Sequence, residues 1–197
     1  VSGFDNVADR LADSGWALWP GFLDASETEA LIALSHGRRE AFQHAAIGRA
    51  GGRARNEAIR GDDVLWLDSD DPDVQTLLDR LGDLQATLNR GLYLGLATLE
   101  CHFAVYPAGA FYKRHLDQHR GQDTRAVTVV IYLNHDWLPE QGGQLRLYTE
   151  AGPVDVQPQG GTLVAFLSDR FEHEVMPATR ERLSVSGWFR RREAAVL

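Results

Sequence analysis

His115 and Asp117 stand two residues apart in a stretch, 111–117, that reads as a strand. Side chains on a strand alternate, so the imidazole and the carboxylate point to one face and offer two adjacent ligands to a divalent metal. His173, in a further short strand, completes a set of two imidazoles and one carboxylate. Three such ligands leave the rest of the coordination sphere open, the pattern associated with non-haem Fe(II) oxygenases. His-x-Asp is a common tripeptide and the chain holds seven His, so the spacing alone leaves chance agreement as a competing reading.

The C-terminal context adds a second chemical requirement. After Pro177 and a short turn comes Arg182-Leu183-Ser184-Val185-Ser186-Gly187-Trp188-Phe189, whose alternation sends Arg182, Ser184 and Ser186 to one face. Adjacent antiparallel strands can bring His173 and Arg182 to one cavity. A buried Arg cannot shed its charge and needs an anionic partner. A dicarboxylate ligand supplies one, its far carboxylate matched by the guanidinium fork while a metal holds the near end.

These residues need a scaffold, and from Leu99 onward the pattern has period two. Strands are expected at 99–106, 111–117, 126–134, 144–149, 153–157, 162–167, 173–176 and 183–190, a spacing that suggests a sandwich or jelly roll. The residues before them read mainly as helices: 4–14, stopped by Gly15; a second opened by a capping box at Ser26-Glu27-Thr28-Glu29, with Ala30, Leu31 and Leu34 as its apolar stripe; and a third from Asp71-Pro72 to about Gly91. Short strands are expected at 15–22 and 64–67. The Gly- and Arg-rich stretch 48–62 reads as a lid over substrate, with solvated disorder as the competing reading. The whole is expected to be one domain, 1–197, with 1–95 as helical support plus the first strands and 96–192 as the jelly-roll core.

Composition narrows the partners. Twenty Lys and Arg against 28 Asp and Glu give a net charge of −8, which argues against nucleic acid. No stretch is apolar enough to span a membrane, and Val1-Ser2-Gly3-Phe4-Asp5 has neither the basic nor the apolar part of a signal peptide. The expectation is a cytoplasmic protein. Cys101, the single cysteine, is read as a buried hydrophobe rather than a nucleophile.

Between Ile59 and Arg190 the sequence resembles the 2-oxoglutarate- and Fe(II)-dependent prolyl 4-hydroxylases, specifically bacterial relatives of the hypoxia-inducible-factor prolyl hydroxylases. The resemblance rests on an ordered set of segments: Ile59-Arg60-Gly61-Asp62 leading to Trp66; Tyr106-Pro107 with Gly109 and Tyr112 before His115-Leu116-Asp117; Tyr132-Leu133-Asn134 with Trp137; Gly142-Gly143-Gln144-Leu145-Arg146; Ser168-Asp169-Arg170 leading to His173-Glu174-Val175; and Arg182 through Trp188. It implies an α+β, mainly β fold, a double-stranded β-helix backed by N-terminal helices. It implies His115, Asp117 and His173 as Fe(II) ligands and Arg182 as partner of the distal carboxylate of 2-oxoglutarate. Tyr132 would donate a hydrogen bond to that carboxylate, Tyr106 would lie near the cosubstrate, and Ser184 joins the cofactor-binding set. Arg60 and Asp62 would sit on a loop folding over a peptide substrate. Fe(II), 2-oxoglutarate and O2 are the implied cofactor and cosubstrates, with ascorbate as a stimulant, and the implied partner is a protein carrying a target proline, elongation factor Tu being a candidate.

The activity implied is hydroxylation of that proline. Inserting one atom of O2 into a C–H bond leaves the other to be reduced by two electrons, which decarboxylation of 2-oxoglutarate to succinate supplies. Val127, Val129, Ile131 and Phe166 are expected to keep the site dry. Each tyrosine also admits a plain core role, Trp137 and Trp188 read as packing, and Arg125, Arg146 and Arg170 as ion pairs. His119, two residues beyond Asp117, reads as a solvent-facing side chain. Competing functions are a cupin-like metal enzyme without 2-oxoglutarate, which would favour His-x-His with a Glu, and a jelly-roll binding module without catalysis.

Overall fold

The computed structural model describes residues 3–45, 59–118 and 124–192. Most of the expected lid, as far as residue 58, lies outside the described residues, and so does His119. In chain order the elements are α1 (Gly3–Ser14), β1 (Trp16–Trp19), α2 (Ala25–Gly37), β2 (Gln43–His44), β3 (Asp63–Trp66), α3 (Gln75–Leu92), β4 (Leu96–Tyr106), β5 (Tyr112–His115), β6 (Arg125–Tyr132), β7 (Leu145–Thr149), β8 (Gly152–Val156), β9 (Leu163–Leu167), β10 (His173–Val175) and β11 (Arg182–Arg191). One sheet has the order β1-β9-β6-β11-β4-β3-β2, the other β5-β10-β7-β8. The strand pairs are antiparallel, and the architecture is the expected double-stranded β-helix with N-terminal helices.

Each large-sheet strand feeds two cores because its side chains alternate. Phe103 and Val105 of β4, Val127, Val129 and Ile131 of β6, and Leu183, Val185 and Phe189 of β11 pack on Val7 and Leu11 of α1 and Leu77, Leu81, Leu84 and Leu88 of α3. The opposite parity, Ala104, Tyr106, Val130 and Tyr132, meets Leu145, Leu147, Phe166, Phe171 and Val175 in the space between the sheets. This corrects the expected dry wall: Val127, Val129 and Ile131 face the helices, and the site receives Thr128, Val130 and Tyr132. Phe166 is on the site side as expected.

Several element ends differ from the sequence reading for identifiable reasons. The capping box of α2 uses Asp24, not Ser26: the Asp24 carboxylate accepts from the Glu27 amide at 2.8 Å and the Glu27 carboxylate accepts from the Asp24 amide at 2.9 Å. The buried residues of α2 are accordingly Thr28, Leu31, Ile32 and Ser35. Helix α3 starts at Gln75 rather than Pro72, because the Asp71 carboxylate accepts from the Asp73 amide at 3.0 Å and also pairs with Arg38, fixing a turn there. Strand β2 was not expected; it pairs Gln43 with Val64 and His44 with Asp63.

Candidate active site

The three proposed metal ligands converge between the sheets. His115 ends β5 and lies in register with His173 of β10, so the ladder itself sets the two rings side by side, centroids 4.3 Å apart. Asp117 is not on the strand, as the spacing implied, but in the bend after it. That bend is tied down by the Gln118 amide, which donates to the Ser168 carbonyl at 3.3 Å. His115 Nε2 is 3.5 Å from Asp117 Oδ1 and His173 Nε2 is 3.6 Å from Asp117 Oδ2, with one ligand atom from each residue within 4.8 Å of the others.

The donor set is prepared for a cation. His115 Nδ1 lies 2.7 Å from the Lys113 carbonyl and His173 Nδ1 lies 3.1 Å from that of Phe171. A carbonyl only accepts, so each Nδ1 carries the proton and each Nε2 presents a lone pair. Burial pushes the His173 imidazolium to lower pKa, which keeps the ring neutral. Burial opposes the charge on Asp117, but positive charge at His173 and His115, when those rings are protonated, holds the carboxyl well below the usual range, and a metal cation bound at their lone pairs would stand in the same place. Two neutral imidazoles and one carboxylate fit a divalent metal, and the ring faces are fixed by Tyr112 stacked on His115 at 3.6 Å and Phe166 against His173 at 4.7 Å.

Arg182 stands in the same pocket at the other end of the β11 face. It is 1% exposed, its Nε donates to the Gly143 carbonyl at 2.9 Å, and NH1 reaches Ser184 Oγ at 3.5 Å. Among the described residues no carboxylate pairs with it. Its Cζ lies 5.2 Å from the Tyr106 ring centroid and 5.1 Å from that of Tyr132. Among the described residues the buried Tyr132 hydroxyl has no hydrogen-bond partner within normal distance, and burial raises it to about 12 against the opposing charge of Arg182 beside it. Such an unpaired cation and orphaned donor fit the far carboxylate of a dicarboxylate. Gly143 makes the cradle possible: at φ +73°, a Cβ there would stand 2.9 Å from the Trp137 ring and 3.0 Å from Ala178.

Arg60 and Asp62 are described although most of their loop is not. Asp62 is fully buried and takes both Arg60 Nε, at 2.6 Å, and NH2, at 2.8 Å. The Arg60 guanidinium lies 4.8 Å from the Tyr112 ring centroid, so Asp62 acts on the pocket through Arg60 and the ring that stacks on His115. Arg125, Arg146 and Arg170 pair with Glu100, Asp155 and Glu150. Trp137 packs as expected, whereas Arg125 and Trp188 also line the pocket. Burial pushes the Cys101 thiol up to about 12, consistent with an inert core residue.

Sequence reasoning missed His102 and Thr128, which line the pocket too, and placed Ser186 on the Arg182 face without giving it a role. Parity held the signal: His102 shares a face with Tyr106, Thr128 with Tyr132, and Ser186 with Arg182.

A family model described as the 2OG-Fe(II) oxygenase superfamily matches residues 101–190. The crystal structure of a Pseudomonas putida prolyl-4-hydroxylase superposes with a TM-score of 0.89 at 44% identity, covering 96% of this chain and 100% of that one. The chain belongs to the 2OG-Fe(II) oxygenase superfamily, in its prolyl 4-hydroxylase branch. A Trichoplax adhaerens prolyl hydroxylase, solved with a hypoxia-inducible-factor peptide fragment, gives a TM-score of 0.87 at 29% identity over 95% of this chain and 88% of that one. Human Egl nine homolog 1 is 36% identical over 141 residues, 66% of this chain and 33% of that protein. The chain thus spans about a third of the length of the curated relatives it first matches. For an oxygenase of this superfamily, Fe(II) and 2-oxoglutarate are the cofactor and cosubstrate that the family and the triad imply. No helix of the described residues is long and apolar enough to cross a membrane.

Proposed function

We propose that the chain is an Fe(II)- and 2-oxoglutarate-dependent dioxygenase that hydroxylates a prolyl residue of a protein substrate, with release of succinate and CO2. The observation that carries it is the buried, unpaired Arg182 with the Tyr132 hydroxyl across the same pocket from a two-His, one-Asp ligand set. When bound, Fe(II) would supply the activation of O2, driven by the two electrons released as 2-oxoglutarate is decarboxylated.

The chain's own residues bind and orient. His115, Asp117 and His173 would hold the metal on one face and leave the others for ligands. Arg182 and Tyr132 would anchor the distal carboxylate, directing the 2-oxo acid end toward that open face, with Ser184 and Tyr106 beside them. Val130, Leu145, Val175 and Phe166 exclude water from between the two ends. Beyond Ser186, the part of the β11 face away from Arg182 carries Trp188, with His102 and Arg125 beside it; this wall is left to receive the substrate. In this reading Arg60 and Asp62 stiffen the edge where a peptide would cross.

The prolyl specificity rests on likeness to the Pseudomonas and Trichoplax prolyl hydroxylases, and elongation factor Tu is the first protein to test. Purified elongation factor Tu and, in parallel, cell lysate would be incubated with the Fe(II) protein and 2-oxoglutarate. Mass spectrometry should find prolyl residues that gain one oxygen atom, with succinate formed in step. Oxidation confined to other residue types would refute prolyl specificity, and no 2-oxoglutarate turnover on any protein would refute the oxygenase reading.

A further inference from the structure

The Asp117 carboxylate has two oxygens with unlike surroundings. Oδ2 accepts a hydrogen bond from Thr128 Oγ1 at 2.7 Å, and Thr128 Oγ1 lies 2.8 Å from Ser168 Oγ. All three residues are buried: Asp117 at 6% exposure, Thr128 at 2% and Ser168 at 0%. They come from the bend after β5, the middle of β6 and the turn just past the end of β9. The arrangement is held by main-chain bonds, the Ser168 amide donating to the Ala126 carbonyl at 3.1 Å while the Ser168 carbonyl receives the Gln118 amide.

The proton positions follow from the chemistry of the groups. An ionised carboxylate only accepts, so the single hydroxyl proton of Thr128 is committed to Oδ2, and Ser168 must donate its own proton to the Thr128 oxygen. The chain therefore runs one way, Ser168 to Thr128 to Asp117. Oδ1 lies 3.5 Å from His115 Nε2, while Oδ2, which carries the Thr128 bond, lies 3.6 Å from His173 Nε2. The Thr128 bond takes one lone pair of Oδ2 and fixes the carboxylate plane, leaving Oδ1 as the freer oxygen for a metal.

We infer that Thr128 and Ser168 are positioning residues that orient the Asp117 carboxylate, so that it meets a metal in the geometry the two His nitrogens require. This rests on the metal-site reading above, and the test separates the two. Calorimetric titration of the metal-free full chain with Mn(II) alone would compare the wild type with Thr128→Val, Thr128→Ser and Ser168→Ala. Thr128→Val keeps the shape and removes the donor; its Mn(II) affinity should fall roughly ten- to a hundredfold, the effect of losing an outer partner of a metal ligand. Thr128→Ser restores the hydroxyl and should stay within about threefold of wild type, the rescue that a packing role would not give. Ser168→Ala lies one bond further out and should cost less than Thr128→Val, roughly three- to tenfold, and it decides the matter if Thr128→Val unfolds. Wild-type or tighter affinity in Thr128→Val, or in Ser168→Ala if that variant must decide, would overturn the inference, as would Thr128→Ser as weak as Thr128→Val. A wild-type chain that binds no Mn(II) would instead overturn the metal site itself and this inference with it.

Discussion

The two ends of the pocket treat buried polar atoms in opposite ways. At the triad, each ligand side chain has a partner: His115 Nδ1 and His173 Nδ1 on main-chain carbonyls, Asp117 Oδ2 on Thr128. At the other end, among the described residues, a buried guanidinium has no carboxylate counter-ion and the Tyr132 hydroxyl has no hydrogen-bond partner within normal distance. The first end is rigid before a cation arrives, with one negative charge to attract it. The second is incomplete until an anion arrives, because a buried charge stripped of its partner costs on the order of 3–5 kcal/mol. On the proposed assignment, the difference teaches that the metal end is built in advance and the cosubstrate end is left incomplete, so that binding there would stabilise out of proportion to the contacts made.

The largest effects should come from breaking the rigid end. His115→Ala, Asp117→Ala and His173→Ala should each abolish turnover and lower Fe(II) affinity by roughly a hundredfold or more, exceeding the loss expected for an outer partner. Calorimetry on the folded variants checks this, and undiminished affinity in any one removes that residue from the site. At the incomplete end, Arg182→Lys keeps the charge and loses the fork, so 2-oxoglutarate should weaken roughly ten- to a hundredfold while metal affinity holds. Arg182→Met sharpens the contrast. It should lose cosubstrate binding yet make the ligand-free protein more stable in urea by about 1–3 kcal/mol, since it removes an unpaired buried charge. Tyr132→Phe should cost roughly tenfold in 2-oxoglutarate affinity and leave ligand-free stability unchanged or slightly raised.

Much of this was legible in the sequence, and the misses have physical causes. The triad and Arg182 could be read because each sits on or beside a strand whose alternation is plain. Strand β6 could not be read that way: Ala126, Val127, Val129, Val130 and Ile131 are apolar on both faces, because both faces are buried. Only Thr128 and Tyr132, polar and of one parity, marked the site face. The cap at Asp24 was missed because Asp24 and Ser26 both precede a carboxylate at the right spacing, and three-dimensional context chose between them. His102 was missed because a lone histidine among core residues carries no pattern.

His102 supplies the smallest expected effect. Burial pushes it down to about 4, while its Nδ1 holds the Phe103 carbonyl at 3.0 Å. A histidine depressed in the folded state binds its proton first in the unfolded chain, so its contribution is complete above the unfolded value of ~6.5 and is lost as pH falls toward 4. At pH ~5.5 the loss should be about 1 kcal/mol. Urea titrations of His102→Gln across that range should show a shallower decline than wild type, and identical slopes would contradict the assignment.

The central claim, that one pocket holds Fe(II) at His115, Asp117 and His173 and 2-oxoglutarate between that metal and Arg182, is tested most directly without oxygen. Adding 2-oxoglutarate to the anaerobic Fe(II) protein should produce a weak visible charge-transfer band from the chelated 2-oxo acid. The band should be absent from Asp117→Ala and require far more 2-oxoglutarate in Arg182→Lys. A wild-type protein that binds both Fe(II) and 2-oxoglutarate but shows no band would contradict the account.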